Sequence, residues 1–244
     1  MIKIVLHHTC KSSYTLYKAL RGAPGVEFEM AGVPYFPYLR RYVLSVPAVF
    51  NGELILLDPV EPDDVIALRD GKTQKELDID EAVENFVRGI MASQALLATV
   101  MLYKSVKPVL DPDLVSVLSR ARYHLQERKT PQILERIKEK EGELLSEHWE
   151  HLVKLLTFGL VRELYWLGID VGEVEKSHVK MWILAKATLG RLGLPHPKPA
   201  VPNEVVDAVY TTLRESGRRY LDKVTEEQSI ILGDDDFLSL IQAY

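Results

Sequence analysis

The sequence predicts an α/β segment of about seventy residues followed by an all-helical remainder, and three observations carry that division. Residues 2–8 form an apolar, β-branched run that passes through Thr9-Cys10-Lys11-Ser12-Ser13 into apolar residues at helical spacing. Ser45–Phe50 and Glu53–Leu57 are two apolar runs joined by Asn51-Gly52, the strongest short hairpin signal in the chain. From about residue 80 onward the pattern is that of long amphipathic helices. At 244 residues the chain is long for one domain and comfortable for two, so the boundary is placed as 1–71, a linker at 72–79, and a helical domain at 80–244.

The elements follow in order. Residues 2–8 read as a strand, and Tyr14–Leu20 as a helix stopped by Gly22, Pro24 and Gly25. Val26–Met30 alternates apolar and polar, as a half-buried strand does. Val33–Leu44, with Pro34 and Pro37, has room for little more than a turn or two of helix. After the hairpin, Asp58–Asp64 is a proline-rich acidic turn in which Asp63 and Asp64 stand as helix N-caps before Val65–Leu68, and Gly71 ends that helix. The remaining helices are predicted at about 80–105, 112–128, 131–167 with a break near Gly142, 173–192 and, after the proline-rich Leu194–Pro202, 203–222.

Composition narrows the function. The net charge of −5 disfavours a broad nucleic-acid surface, and the cluster Arg214, Arg218, Arg219 reads as a solvated helix face. The longest uncharged run, Gly89–Tyr103, is too short and polar to span a bilayer, and residues 1–8 lack the pattern of a leader, so a cytoplasmic protein is expected. The chain has three asparagines among many Glu, Lys and Arg, a bias of proteins from hot environments. One cysteine excludes an internal disulfide, so any redox chemistry is monothiol.

That cysteine, Cys10, stands at the start of a helix, where unpaired N–H groups and the helix dipole favour a thiolate. Lys11 follows it, and Ser13 lies one turn on, placed to donate a hydrogen bond to the sulfur. Val46-Pro47 enters the next strand opposite that turn. On these residues the segment 1–71 resembles the thioredoxin superfamily, with Cys10-Lys-Ser-Ser13 at its C-x-x-C or C-x-x-S motif and Val46-Pro47 at its cis-proline loop. Val46-Pro47-Ala-Val-Phe50-Asn51-Gly52 is close to a run found in glutaredoxins. The short segment before it and the helices after the domain look like glutathione transferases.

The resemblance implies a thioredoxin-like α/β domain followed by an all-α domain, a cis Val46–Pro47 peptide, and a small thiol paired with the backbone of Val46. In transferases an acidic residue and a serine about eleven positions after the V-P motif hold the γ-glutamyl end of glutathione; here Asp58 matches and Pro59 replaces the serine. In glutaredoxins an acidic pair nearer the last helix does this, which makes Asp63 and Asp64 candidates. At the far end Ile230–Leu240 is similar to a capping box of transferase helical domains, with Ser239 and Gln242 as its pair.

The expected function is therefore a monothiol transferase or oxidoreductase with Cys10 as nucleophile, Ser13 stabilising its thiolate, a lowered Cys10 pKa, and Lys11, Tyr14, Val46, Pro47, Asp58, Asp63 and Asp64 around the substrate. Glutathione or another small thiol would be the co-substrate, with no resident cofactor or metal; a protein disulfide and a second copy of the chain are the other expected partners, and nucleic acid and membrane are not. The rival reading is a non-catalytic interaction module of the same architecture. Of the weaker signals, Glu147, His148 and His151 read as a solvated helix face rather than metal ligands. His7 and His8 alternate at a strand end, so only one can face Cys10, and they read as strand-end packing rather than catalytic groups. Trp149, Trp166 and Trp182 with Tyr165 read as core.

Overall fold

The computed structural model describes residues 1–30, 35–36, 41–42, 45–190 and 200–242, with backbone alone at 35–36, 41–42, 189–190 and 242. Strand β1 (Ile2–Leu6) leads through Cys10 into helix α1 (Lys11–Leu20) and then β2 (Val26–Met30). Two short strands, β3 (Tyr35–Phe36) and β4 (Arg41–Tyr42), pair antiparallel where a turn or two of helix was expected. The hairpin of β5 (Ala48–Phe50) and β6 (Leu54–Leu57) turns at Asn51-Gly52, where Gly52 has φ +84, a backbone conformation glycine adopts without steric cost. The main sheet has the order β2-β1-β5-β6, with β1 and β2 parallel and the other neighbours antiparallel. The Val46–Pro47 peptide leading into β5 is cis, as expected, and so is Asp58–Pro59 beyond β6.

Helix α2 (Pro62–Arg69) is capped differently from expectation. Glu61 is its N-cap, and the Asp64 carboxylate accepts the Glu61 backbone N–H at 3.1 Å. Pro62 explains the shift, since a residue without an N–H suits the first helical position and places the cap at Glu61, ahead of both aspartates.

The helical part begins with α3 (Ile79–Ala92), capped by Asp78, and α4 (Gln94–Tyr103). The single helix predicted over 80–105 is thus two, bent by 101°. Ser93 makes the corner: its backbone is extended and its hydroxyl accepts the N–H of Leu96 at 3.3 Å, starting a new helix. Helix α5 (Pro112–Leu118) is shorter than predicted, because Arg120 and Leu125 take positive φ. By contrast α6 (Thr130–Leu167) runs through Gly142 without a break and ends on Gly168 at φ +68. There follow α7 (Lys176–Gly190), α8 (Asn203–Leu232), which runs ten residues past its predicted end, and α9 (Asp235–Gln242). Asp234 caps α9 by accepting the N–H of Phe237 at 3.0 Å; Ser239, expected in a capping box, lies inside the helix and donates to the carbonyl of Asp236. Among the described residues no single helix is long and apolar enough to cross a membrane.

Three apolar clusters hold these elements. Ile2, Ile4 and Leu6, alternating along β1, face α1, α2 and, from the other end of the sequence, Ile231 and Phe237. The opposite sheet face, with Val5, Ala48, Leu54 and Leu57, packs on Phe86 and Ile90 of α3 and on α5. The third cluster joins α4, α6, α7 and α8, with α6 lying along α8 and α4 along α7. The segment 72–78 is thus a change of pattern across which the core continues.

Phe237 is the hinge of the first cluster, fully buried with its ring 5.3 Å from that of Tyr14 and 5.1 Å from that of Tyr17. Phe237→Ala should cost about 3–5 kcal/mol, read as a lower urea midpoint, because the cavity lies between α9 and α1 where neither can collapse. Ile241→Ala, at a position 40% exposed on the same helix, should change the midpoint by less than about 0.5 kcal/mol.

Candidate functional site

Cys10 is the N-cap of α1, and its sulfur accepts the N–H of Ser13 at 3.5 Å while its S–H donates to the carbonyl of Val46 at 3.3 Å. The turn that holds it is fixed from several sides. Ser13 Oγ accepts the N–H of His7 at 3.2 Å, the N–H of Cys10 donates to the His7 carbonyl, and Gln228 of α8 donates to the carbonyl of Thr9 at 3.1 Å. Lys11 pairs with Glu227 of the same helix at 3.1 Å.

The sulfur opens onto a cleft of about 510 Å³ between the sheet segment and the helices. The Cys10 turn, Val46 and Asp58 form one wall, and α6 and α7 supply the other with Phe158, Arg162, Trp166, Trp182 and Lys186. Of the residues expected in the site, Cys10, Lys11, Val46 and Asp58 line this cleft, and Ser13 and Pro47 lie buried directly behind it. Three stand elsewhere. Tyr14 donates its hydroxyl to Asp234 at 3.1 Å and packs on Phe237; Asp63 is exposed on α2; and Asp64 is held by Arg120 at 2.6 Å and by the Glu61 N–H.

The electrostatics differ from the sequence expectation in one respect. Burial pushes the Cys10 pKa up, and the nearby Asp58 carboxylate pushes it further; the Ser13 contacts and Arg162 oppose this without reversing it. The resting sulfur is therefore a thiol whose S–H points at the Val46 carbonyl. A helix N-terminus lowers a thiol pKa only where the sulfur keeps solvent or a cation, and this one is nearly covered. Asp58 is itself buried, which raises its pKa to about 7 despite the hydrogen bond from Ser12, the charge of Arg162 and the Val60 backbone N–H. His7 is held neutral, its pKa lowered to about 4 chiefly by burial and then by the charges of His8, Arg162 and Lys186. Its Nδ1 accepts the N–H of Thr9 at 3.2 Å, so in the neutral ring Nε2 carries the proton. His8 stacks on His7 and meets the edge of Trp166.

The helical wall was missed in the sequence. Leu155, Phe158, Gly159, Arg162 and Trp166 repeat at spacings of three and four along α6, and the one cation in that apolar stripe was the available signal. Trp166, read as core, is 38% exposed at the cleft; Trp182 is partly buried and donates its indole N–H to Glu163 at 2.9 Å. Glu163 also binds Lys186 at 2.7 Å. Gly159 gives α6 its close approach: a Cβ there would strike the side-chain amide of Gln94 at the start of α4. His148 and His151 lie on an outer stretch of α6, and among the described residues no cluster of His, Cys, Asp or Glu is arranged to hold a metal.

Compared with known protein families, curated proteins and solved structures, the chain matches none.

Asp58→Asn tests the coupling in this site. Because the folded-state pKa of Asp58 is raised to about 7, folding favours its neutral form; the stability it adds is complete below the unfolded value near 4 and is lost as pH rises through about 7. The wild type should thus lose up to about 4 kcal/mol of unfolding free energy over that window, and Asp58→Asn should flatten the loss in urea titrations taken across it. The same substitution should move the pH midpoint of Cys10 alkylation downward, since it removes the charge that opposes the thiolate.

Proposed function

We propose that this chain is a monothiol transferase or oxidoreductase of the thioredoxin-like, glutathione-transferase-like kind, with Cys10 as the nucleophile. The observation that carries the reading is the place of the sulfur: at the N-terminus of α1, against the carbonyl before cis-Pro47, and at the floor of a ligand-sized cleft. The sheet order β2-β1-β5-β6 with one parallel pair is compatible with it, as is the helical region that follows.

The raised Cys10 pKa fixes how the step would run. The thiol must lose its proton as it attacks, and Asp58, with a pKa of about 7 in the same cleft, is the group suited to take it at neutral pH. On a disulfide substrate the sulfur attacks one sulfur atom, a new S–S bond forms as the old one breaks, and the departing thiolate takes up a proton. With no second cysteine in the chain, the mixed disulfide waits for an external thiol. Glutathione is one such thiol, and the Lys11 side of the cleft, beside Val46, is where it would lie.

A second reading is favoured by one observation, the burial of Cys10 with its S–H bonded to Val46: a non-catalytic interaction module would keep its thiol this way. Incubation of the folded protein with 2-hydroxyethyl disulfide and with glutathione disulfide near pH 8, read by intact mass, separates the two. The transferase reading expects one adduct per chain, reversed by dithiothreitol and absent from Cys10→Ser. No adduct on the folded chain, with rapid reaction after denaturation, would establish the interaction module.

A further inference from the structure

The cleft holds one cation that no ion pair among the described residues answers. Arg162 projects from the last two turns of α6, its guanidinium 5.3 Å from the ring centre of Phe158, and its Nε is buried without a hydrogen-bond partner. Among the described residues it makes no ion pair. The neighbouring cation, Lys186, is neutralised by Glu163, which is held in turn by the Trp182 indole. Asp58 across the cleft feels the charge of Arg162 but forms no ion pair with it, so the cleft presents a planar fork of donors with no direct partner among the described residues, between aromatic side chains and close enough to Cys10 for its charge to act on the sulfur.

An unpaired, partly desolvated guanidinium is costly to keep, and its geometry suits two parallel hydrogen bonds to a carboxylate. A single guanidinium fork, with the Asp58 carboxyl in the same cleft, matches a monovalent carboxylate better than a phosphate dianion. The apolar flank formed by Phe158, Trp166 and Trp182 matches a ring or short hydrocarbon attached to it. We propose that Arg162 anchors the carboxylate of an aromatic or otherwise apolar acid, and so sets the class of molecule that reaches Cys10. The proposal rests on the reading of this cleft as the place where Cys10 meets its substrate.

Two measurements test it and keep the two readings apart. The first uses Cys10→Ser protein, in which no covalent step occurs, and compares binding of 4-nitrobenzoate with its neutral isostere 4-nitrobenzamide by equilibrium dialysis. The acid should bind about tenfold or more tighter, Arg162→Gln should bring the two within about twofold, and Arg162→Lys should keep part of the preference, since it retains the charge and loses the fork. The second compares alkylation of Cys10 in the wild type by iodoacetate and iodoacetamide. In each the sulfur forms a bond to carbon as iodide leaves with the C–I electron pair, and the thiol proton passes to solvent. The ratio of the iodoacetate rate to the iodoacetamide rate should fall about tenfold in Arg162→Gln. Equal binding of the acid and the amide, or a preference that survives Arg162→Gln, overturns the proposal. If the acid preference depends on Arg162 while neither reagent labels Cys10, the anion site stands and the thiol-transfer reading falls.

Discussion

Val5, Ala48, Leu54 and Leu57 project from one face of the main sheet, and among the described residues it is α3 and α5 that cover them. The other face is closed by α1 and α2 together with Ile231 and Phe237 from the last two helices. A sheet of four short strands has two apolar faces and cannot bury both with two helices of its own. That constraint organises the rest of the molecule. It brings α3 against the sheet, sends α8 back across the Cys10 turn, and leaves α6 and α7 facing the sulfur across a gap.

The gap concentrates ionisable groups in a poorly solvated place, and their states follow from their neighbours. Asp58 and Cys10 both hold protons more firmly than they would in water, and His7 holds its own less firmly. All three are shifted toward the neutral form, as burial dictates when no ion pair intervenes. Glu163 and Lys186 are paired with each other at 2.7 Å on the opposite wall.

Much of the α/β segment was legible in the sequence, because its signals are local. The alternation in β2, the Asn51-Gly52 turn and the strand-to-helix passage around Cys10 depend on residues within a few positions of one another. The cis peptide before Pro47 came from resemblance rather than from pattern. The helical boundaries were less legible: hydrophobic periodicity continues through Ser93, where one hydroxyl and one extended backbone turn the chain, and a glycine at 142 suggested a break that an exposed helix face does not need. The site was legible only on its sheet side. Arg162 and Trp166 enter it from α6 by tertiary packing, and no spacing within residues 1–71 points to them. The lowered thiol pKa was inferred from helix position and from its neighbours Lys11 and Ser13, and burial overrode them.

The bond from Gln228 to the carbonyl of Thr9 joins residues 219 positions apart, and Lys11 and Glu227 repeat that link beside it. The walls of the thiol pocket are thus contributed by chain that lies far from the thiol. Closing so wide a loop is entropically expensive, and it is compensated only once the intervening helices have packed. The shelter of the sulfur in the folded chain thus depends on how securely the last long helix is seated against the Cys10 turn.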